Sequence, residues 1–302
     1  MNEIPKVTWF KNPPIKHGWL KALLFFVCFL LFNGLFHLIL SVFGQSIMFS
    51  VLRTVDEHTF FDLFQWVTIA LTNPFVTLFW IWVFHKNINK QSFSSLGLKI
   101  YGYKNDFILG LLLGFGLMFL GFGGLYVFDF LSVNQVKFSL NHHILYVIVF
   151  AIVAIGEETA IRGFILQNLS SSFNKYIALV LSSLVFMIMH IGNPNMSAIP
   201  LFNLFLAGLL LGVYCIHKNN LWFPIGAHIT WNYFQGPVLG FEVSGNDVDS
   251  IFIQSLDGSE LITGGEFGFE GSIILTVFMI IGIIYLDRRF SSNAKFINQS
   301  SG

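Results

Sequence analysis

Two glutamates stand side by side inside an apolar run, Glu157-Glu158, with Arg162 four residues beyond the second. Read as one helix, residues 144–167 are long enough to cross a bilayer, and the acids fall near the middle. A charged side chain there costs roughly 2.5–3.5 kcal/mol on insertion scales, so adjacent carboxylates at that depth need a chemical reason. Glu158 and Arg162 are i and i+4, on one helical face and able to pair. Glu157 points about 100° away and is left for other work. Two later apolar segments carry polar groups that also need a reason. One ends at His190, after Phe186; the other holds His228 and Asn232, again i and i+4.

These residue types suit hydrolysis. A carboxylate and an imidazole sharing one water make a general base that can activate it for attack on a carbonyl. A second imidazole and an amide facing them can donate hydrogen bonds to the oxyanion that forms. Alternatively, Glu157, His190 and His228 make a two-His-one-carboxylate zinc set with an open position for water. An ion or proton pathway and a structural polar network remain as rival uses of the same residues. Asn33 with His37, Asn203 and Asp129 read as helix-packing polar groups. Cys28 and Cys215, both in apolar runs, read as packing with no disulfide framework.

The elements that must position these residues are membrane helices. The chain has 302 residues, 55% hydrophobic, with mean hydropathy +0.71. Only 11% are charged, against about 25% in a soluble domain. The fold class expected is all-α and polytopic, with eight spanning segments at 20–43, 64–84, 107–131, 144–167, 176–191, 199–216, 221–234 and 271–286. Fourteen of the sixteen Lys and Arg fall at the N-terminus, the second, fourth and sixth connections and the C-terminus. The positive-inside rule then puts both termini in the cytoplasm. The seventh connection, 235–270, carries seven acids and no Lys or Arg, as an outside loop would. Three regions follow: 1–143, an N-terminal membrane region; 144–234, the candidate catalytic core; and 235–302, the acidic loop and last helix. Gly110, Gly114, Gly116, Gly121, Gly123 and Gly124, with Gly208 and Gly212, read as small-residue helix contacts. Net charge is zero and no basic patch suggests nucleic acid. From the rise per residue, Glu157 lies about 15 Å, His190 about 20 Å, His228 about 10 Å and Asn232 about 16 Å from the cytoplasmic end of their helices. The four can therefore meet near mid-membrane, in a cavity expected to open to the cytoplasm.

In order along the chain, Glu157-Glu158-x-x-x-Arg162, Phe186-x-x-x-His190 and His228-x-x-x-Asn232 resemble the signature of the CPBP family. These are intramembrane proteases similar to CAAX prenyl protease 2, also known as the Abi family. The resemblance covers 144–232 and implies that Glu157 and His190 activate water. It further implies that His228 and Asn232 form the oxyanion site, with Glu158 and Arg162 in support, around a membrane-embedded cavity entered from the cytoplasm. It implies a glutamate mechanism needing no cofactor, with zinc as the alternative. The substrate expected is a membrane-associated peptide, CAAX-type or bacteriocin-like, in a prokaryotic plasma membrane. A non-catalytic scaffold or immunity protein, or a proton-coupled carrier, is the alternative from another class.

Overall fold

A computed structural model describes residues 15–51 and 74–299. Helix α1 is Gly18–Val51; α2 covers residues 74–81 and runs into a π-helical turn, Trp82–Ile88. Helix α3 is Lys104–Val127, followed by strand β1, Leu131–Val136. Helix α4 is Leu140–Ser170, π-helical over Thr159–Leu166. Helices α5, Lys175–Met189, α6, Ala198–Lys218, and α7, Trp222–Tyr233, follow. A π-helical turn, Phe234–Val238, closes α7. Strand β2, Phe252–Leu256, and the last helix α8, Ile273–Gln299, complete the order.

Apolar sequence forces this outcome: inside a bilayer every backbone N–H and C=O must be satisfied within its own segment, and a helix does that. The bundle's outer face is greasy, with Leu31, Leu38, Leu112, Leu120 and Ile281 exposed, whereas the titratable residues of the core lie inside. Helix starts are set locally. Asn174 caps α5 by accepting from Tyr176 N and Ile177 N at 3.1 and 2.9 Å. Asn219, at φ 50°, ends α6 in the left-handed conformation that Asn tolerates.

Among the described residues, four helical stretches are long and apolar enough to cross a membrane, Gly18–Phe36, Lys104–Val127, Leu140–Ser170 and Ala198–Lys218. The chain is thus an all-helical membrane protein with one two-stranded sheet, but the expected count of eight spans is not reproduced. The physical reasons differ by segment. Of 64–84, residues 64–73 lie outside the described residues. Helix α5 is a shorter apolar helix, and α7 has 12 residues before its π-helical turn. The apolar part of α8 gives way to Asp287, Arg288 and Arg289.

Connections gather at two ends. At one, Trp19 N donates to Ser172 Oγ (3.1 Å), Gln167 Nε2 to Asn219 Oδ1 (3.2 Å) and Trp222 Nε1 to Leu98 O (2.9 Å). At the other, β1 pairs antiparallel with β2, and Asn193 Nδ2 and Asn195 Nδ2 donate to Ser244 O and Glu266 O. The Lys- and Arg-rich connections share the first end and the acidic loop belongs to the second, the partition the charge pattern requires.

Small residues bring α3 against α7. A Cβ on Gly110 would run into the Phe223 carbonyl, and one on Gly114 into the Ala227 carbonyl. Gly208 and Gly212 similarly admit Ser183 and Leu179 of α5 against α6. Gly121 instead faces the ring of Phe269, while Gly116, Gly123 and Gly124 have nothing within 4 Å, so those three are not contact glycines.

Candidate active site

The helical spacing divides the two glutamates as expected. Glu158 is fully buried and accepts from Arg162 NH1 at 2.8 Å on the same oxygen, Oε1, that lies 2.9 Å from His228 Nδ1. Arg162 is held on two further sides: NH2 donates to Gly208 O at 3.2 Å, and the guanidinium sits 4.5 Å above the Phe186 ring. One motif arginine thus joins α4, α5 and α6, and its glutamate joins α4 to α7. The π-helical stretch begins at the next residue, Thr159, whose hydroxyl donates back to Ile155 O. Such bulges commonly mark functional positions in helices.

Glu157, one residue earlier, faces a cavity of about 470 Å³ with His190, His228 and Asn232. All four residues singled out as catalytic candidates therefore border one space. His190 caps the C-terminal end of α5, and its Nδ1 lies 2.8 Å from Phe186 O. A carbonyl can only accept, so Nδ1 carries the hydrogen there, and in the neutral imidazole Nε2 presents a lone pair. That Nε2 is 4.0 Å from Glu157 Oε2, too far for a direct hydrogen bond, and Oε2 is buried without a hydrogen-bond partner. Two acceptors at that separation are matched by a molecule that donates two hydrogens, as water does.

His228 is oriented from behind. With Nδ1–H given to the Glu158 carboxylate, Nε2 can donate only in the imidazolium form and otherwise accepts. As for metal, among the described residues no three His, Cys, Asp or Glu are gathered closely enough to hold an ion. Glu157, His190 and His228, the alternative zinc set, border one cavity without being gathered to that degree, and no step is routed through a metal.

Two expectations are corrected. Among the described residues the cavity borders the end opposite the Lys-rich one, not the Lys-rich end: its border includes Gly192 and Asn193 of the fifth connection and Val243, Ser244, Asn246 and Glu270 of the acidic loop. If the termini are cytoplasmic, the opening cannot be. Asn33, read as packing, lines the cavity from α1, with Nδ2 donating to Phe29 O and Oδ1 buried without a partner. The side chain of His37 lies outside the described residues. Asn203 is structural as expected, donating to Glu270 O and Ser272 O and accepting from Thr276. Cys28 and Cys215 are free thiols.

Sequence reasoning missed Glu270. Its Oε1 accepts from Trp231 Nε1 at 3.0 Å, and its Oε2 accepts from the backbone N–H and hydroxyl of Ser244, both 2.8 Å. The acidic loop is not merely a solvated surface: Phe241, Val243, Phe267 and Phe269 are buried, and Glu270 ties the loop to the residue preceding Asn232. The only sequence signal was the apolar residues interspersed among the loop's acids.

Residues 139–234 match the family described as Type II CAAX prenyl endopeptidase Rce1-like. No curated protein and no solved structure matches the chain. The matched stretch, about a third of the chain, holds Glu157, Glu158, Arg162, His190, His228 and Asn232 together, and it is in this stretch that the chain is similar to that endopeptidase family.

Proposed function

We propose that the protein is an intramembrane endopeptidase that hydrolyses a peptide bond with a water activated by Glu157 and His190. The observation that carries this reading is the 4.0 Å gap between two acceptors, Glu157 Oε2 and His190 Nε2, at the wall of a buried cavity. A water donating to both sits with its oxygen lone pair turned to an incoming carbonyl. Glu157 takes a proton, the water oxygen bonds to the carbonyl carbon, and the π electrons move onto the carbonyl oxygen. His228, as the imidazolium held by Glu158, and Asn232 stabilise that oxyanion. The C–N bond then breaks as the amine nitrogen receives the proton carried by Glu157.

No metal is assigned a part. Glu158 and Arg162 do not touch substrate; they fix the facing of α4, α5, α6 and α7. With the Lys-rich end in the cytoplasm, both termini are inside and the cavity faces the outer side of a prokaryotic plasma membrane. The substrate, a membrane-associated or lipidated peptide, would then enter from that side or from the bilayer. Full spanning by α2, α5, α7 and α8 would complete eight crossings.

The test is cleavage of a quenched fluorescent peptide library, farnesylated CAAX peptides included, by purified protein. Wild type runs beside Glu157→Gln and His228→Ala, each with and without a zinc chelator. Activity kept with chelator and lost in both variants supports the proposal. Loss with chelator and return with zinc would refute the metal-free step.

A further inference from the structure

Asn33 borders the cavity from α1, a helix outside the matched stretch 139–234. Its depth is fixed from the Lys-rich end, where Trp19 N donates to Ser172 Oγ and the rings of Phe25 and Phe164 lie 4.5 Å apart. About two turns beyond Phe25, Asn33 is about nine-tenths buried, and its α1 neighbours in the lining, Phe29 and Leu30, are apolar. Its amide can be oriented in one way only. Nδ2 lies 3.1 Å from Phe29 O, and a carbonyl can only accept, so the nitrogen faces it and Oδ1 points elsewhere. That oxygen is buried and has no hydrogen-bond partner among the described residues. It and Glu157 Oε2 are the two buried side-chain acceptors of the described lining left without a donor, and the hydrolytic step uses only the second.

We propose that Asn33 Oδ1 accepts a backbone N–H of the bound peptide, close to the bond that is cut. The inference rests on the endopeptidase reading and adds a backbone-binding residue to it. A substrate that excludes water from the cavity must bring a donor to Oδ1 or leave it bare, and a bare buried acceptor is costly. The donor that a peptide brings at every residue but proline is its backbone N–H. In a trans peptide unit C=O and N–H point opposite ways, so a carbonyl turned to His228 and Asn232 sends the N–H of its own unit away from them. Glu157 Oε2 is assigned to the attacking water, which leaves Asn33 to receive that N–H or one beside it. A cavity of about 470 Å³ is on the order of 10 Å across, room for about three extended residues, so the N–H belongs to the scissile unit or a neighbour. Asn33 thus sets the register of the backbone whatever the side chains, and it takes no proton.

Binding separates this inference from the catalytic one. Full-length His190→Ala protein, inactive under the proposed mechanism, is titrated with a fluorescein-labelled farnesylated CAAX peptide. Four analogues follow, each with one of the last four backbone amides replaced by an ester, which keeps the shape of the chain and removes the donor. The expected result is that one ester position weakens binding about fivefold, the weight of one neutral hydrogen bond. With Asn33→Leu added, the all-amide peptide binds about fivefold more weakly and that ester costs nothing further. Any penalty from the poorer ester carbonyl would persist in the variant, so its disappearance reports the N–H alone. Leucine is close to asparagine in size and suits an apolar helix, and Asn33→Ala repeats the comparison without its bulk. The ester series on His190→Ala needs no Asn33 variant, so poor folding of those variants does not rescue the idea. No sensitive ester position, an ester penalty that survives Asn33→Leu, unchanged binding of the all-amide peptide by that variant, or no binding at all overturns the inference. Asn33-dependent ester sensitivity without cleavage of the all-amide peptide by wild type overturns the proposed function and leaves the inference standing.

Discussion

Arg162→Met tests whether the buried pair organises the site. Glu158 and Arg162 are almost fully buried, and their 2.8 Å hydrogen bond is the guanidinium's contact to a carboxylate. Removing the arginine leaves Glu158 with His228 alone at 2.9 Å, and Gly208 O and the Phe186 ring lose their cation as well. Removing one partner of a buried pair costs about 3–5 kcal/mol, here toward the low end because His228 still faces the carboxylate. That is a large share of the roughly 5–15 kcal/mol that holds a domain folded. Glu158→Gln strands the arginine instead and should cost a similar amount. In the double variant neither charge is left alone, so its loss should fall short of the summed single losses by about 2 kcal/mol, within the range of coupled neighbours. The assay is thermal unfolding of purified protein in detergent for wild type, both singles and the double, with peptide cleavage in parallel. Cleavage should stay low in the double variant because His228 Nδ1 has lost its carboxylate, even though stability recovers. Additivity of the two losses to within about 0.5 kcal/mol would refute the reasoning.

Other outcomes follow from the same structure. Gly114→Ala sets a Cβ against the Ala227 carbonyl, next to His228, and should cost about 1–3 kcal/mol as overpacking and lower cleavage with it. Gly116→Ala, with open space around it, should stay within about 0.5 kcal/mol of wild type in the same melts. Burial above all pushes the Glu242 carboxyl above its ordinary value of 4.5; its backbone hydrogen bond, next in size, pulls the other way, and the Asp247 and Glu266 charges add smaller upward pushes. A raised acid stabilises the fold below about 4.5, and that contribution is lost as pH rises through the raised value. Glu242→Gln should therefore raise the melting temperature at pH 7, and the difference should vanish toward pH 4. Asn195 is exposed at the end where the cavity opens, so Asn195→Cys in a background lacking Cys28 and Cys215 should react with a membrane-impermeant maleimide added to intact cells. Protection until the cells are lysed would reverse the orientation.

How far the sequence reaches depends on range. The division of labour between Glu157 and Glu158 was legible because helical geometry alone sets it, and Glu158–Arg162 is a local i, i+4 pair. His190 and His228 were legible as expensive polar groups in apolar helices, and helix rise permitted their meeting at one depth, which the cavity they both line realises. The sidedness of that cavity was not legible. Depth along each helix says where side chains lie, whereas the opening depends on how the loop beyond Gln235 folds back. Glu270 reaches Trp231 across 39 residues and Asn203 is tied to the Glu270 carbonyl across 67, contacts no periodicity announces. Asn33 was misread for the same reason: an Asn on a lipid-exposed helix looks like a packing residue until its unpartnered oxygen is seen beside a cavity. The pairing of β1 with β2 was likewise hidden, since two short segments more than a hundred residues apart find each other only once the bundle ends are assembled.

The most direct measurement is oxygen-18 incorporation from labelled water into the new carboxyl terminus of a cleaved peptide. Wild type and Glu157→Gln protein of matched melting temperature are compared, with chelator present. The account predicts one labelled oxygen per cleavage by wild type and a loss of at least about 100-fold in the variant, the scale of a missing general base. Labelled product from Glu157→Gln within threefold of the wild-type rate would contradict it.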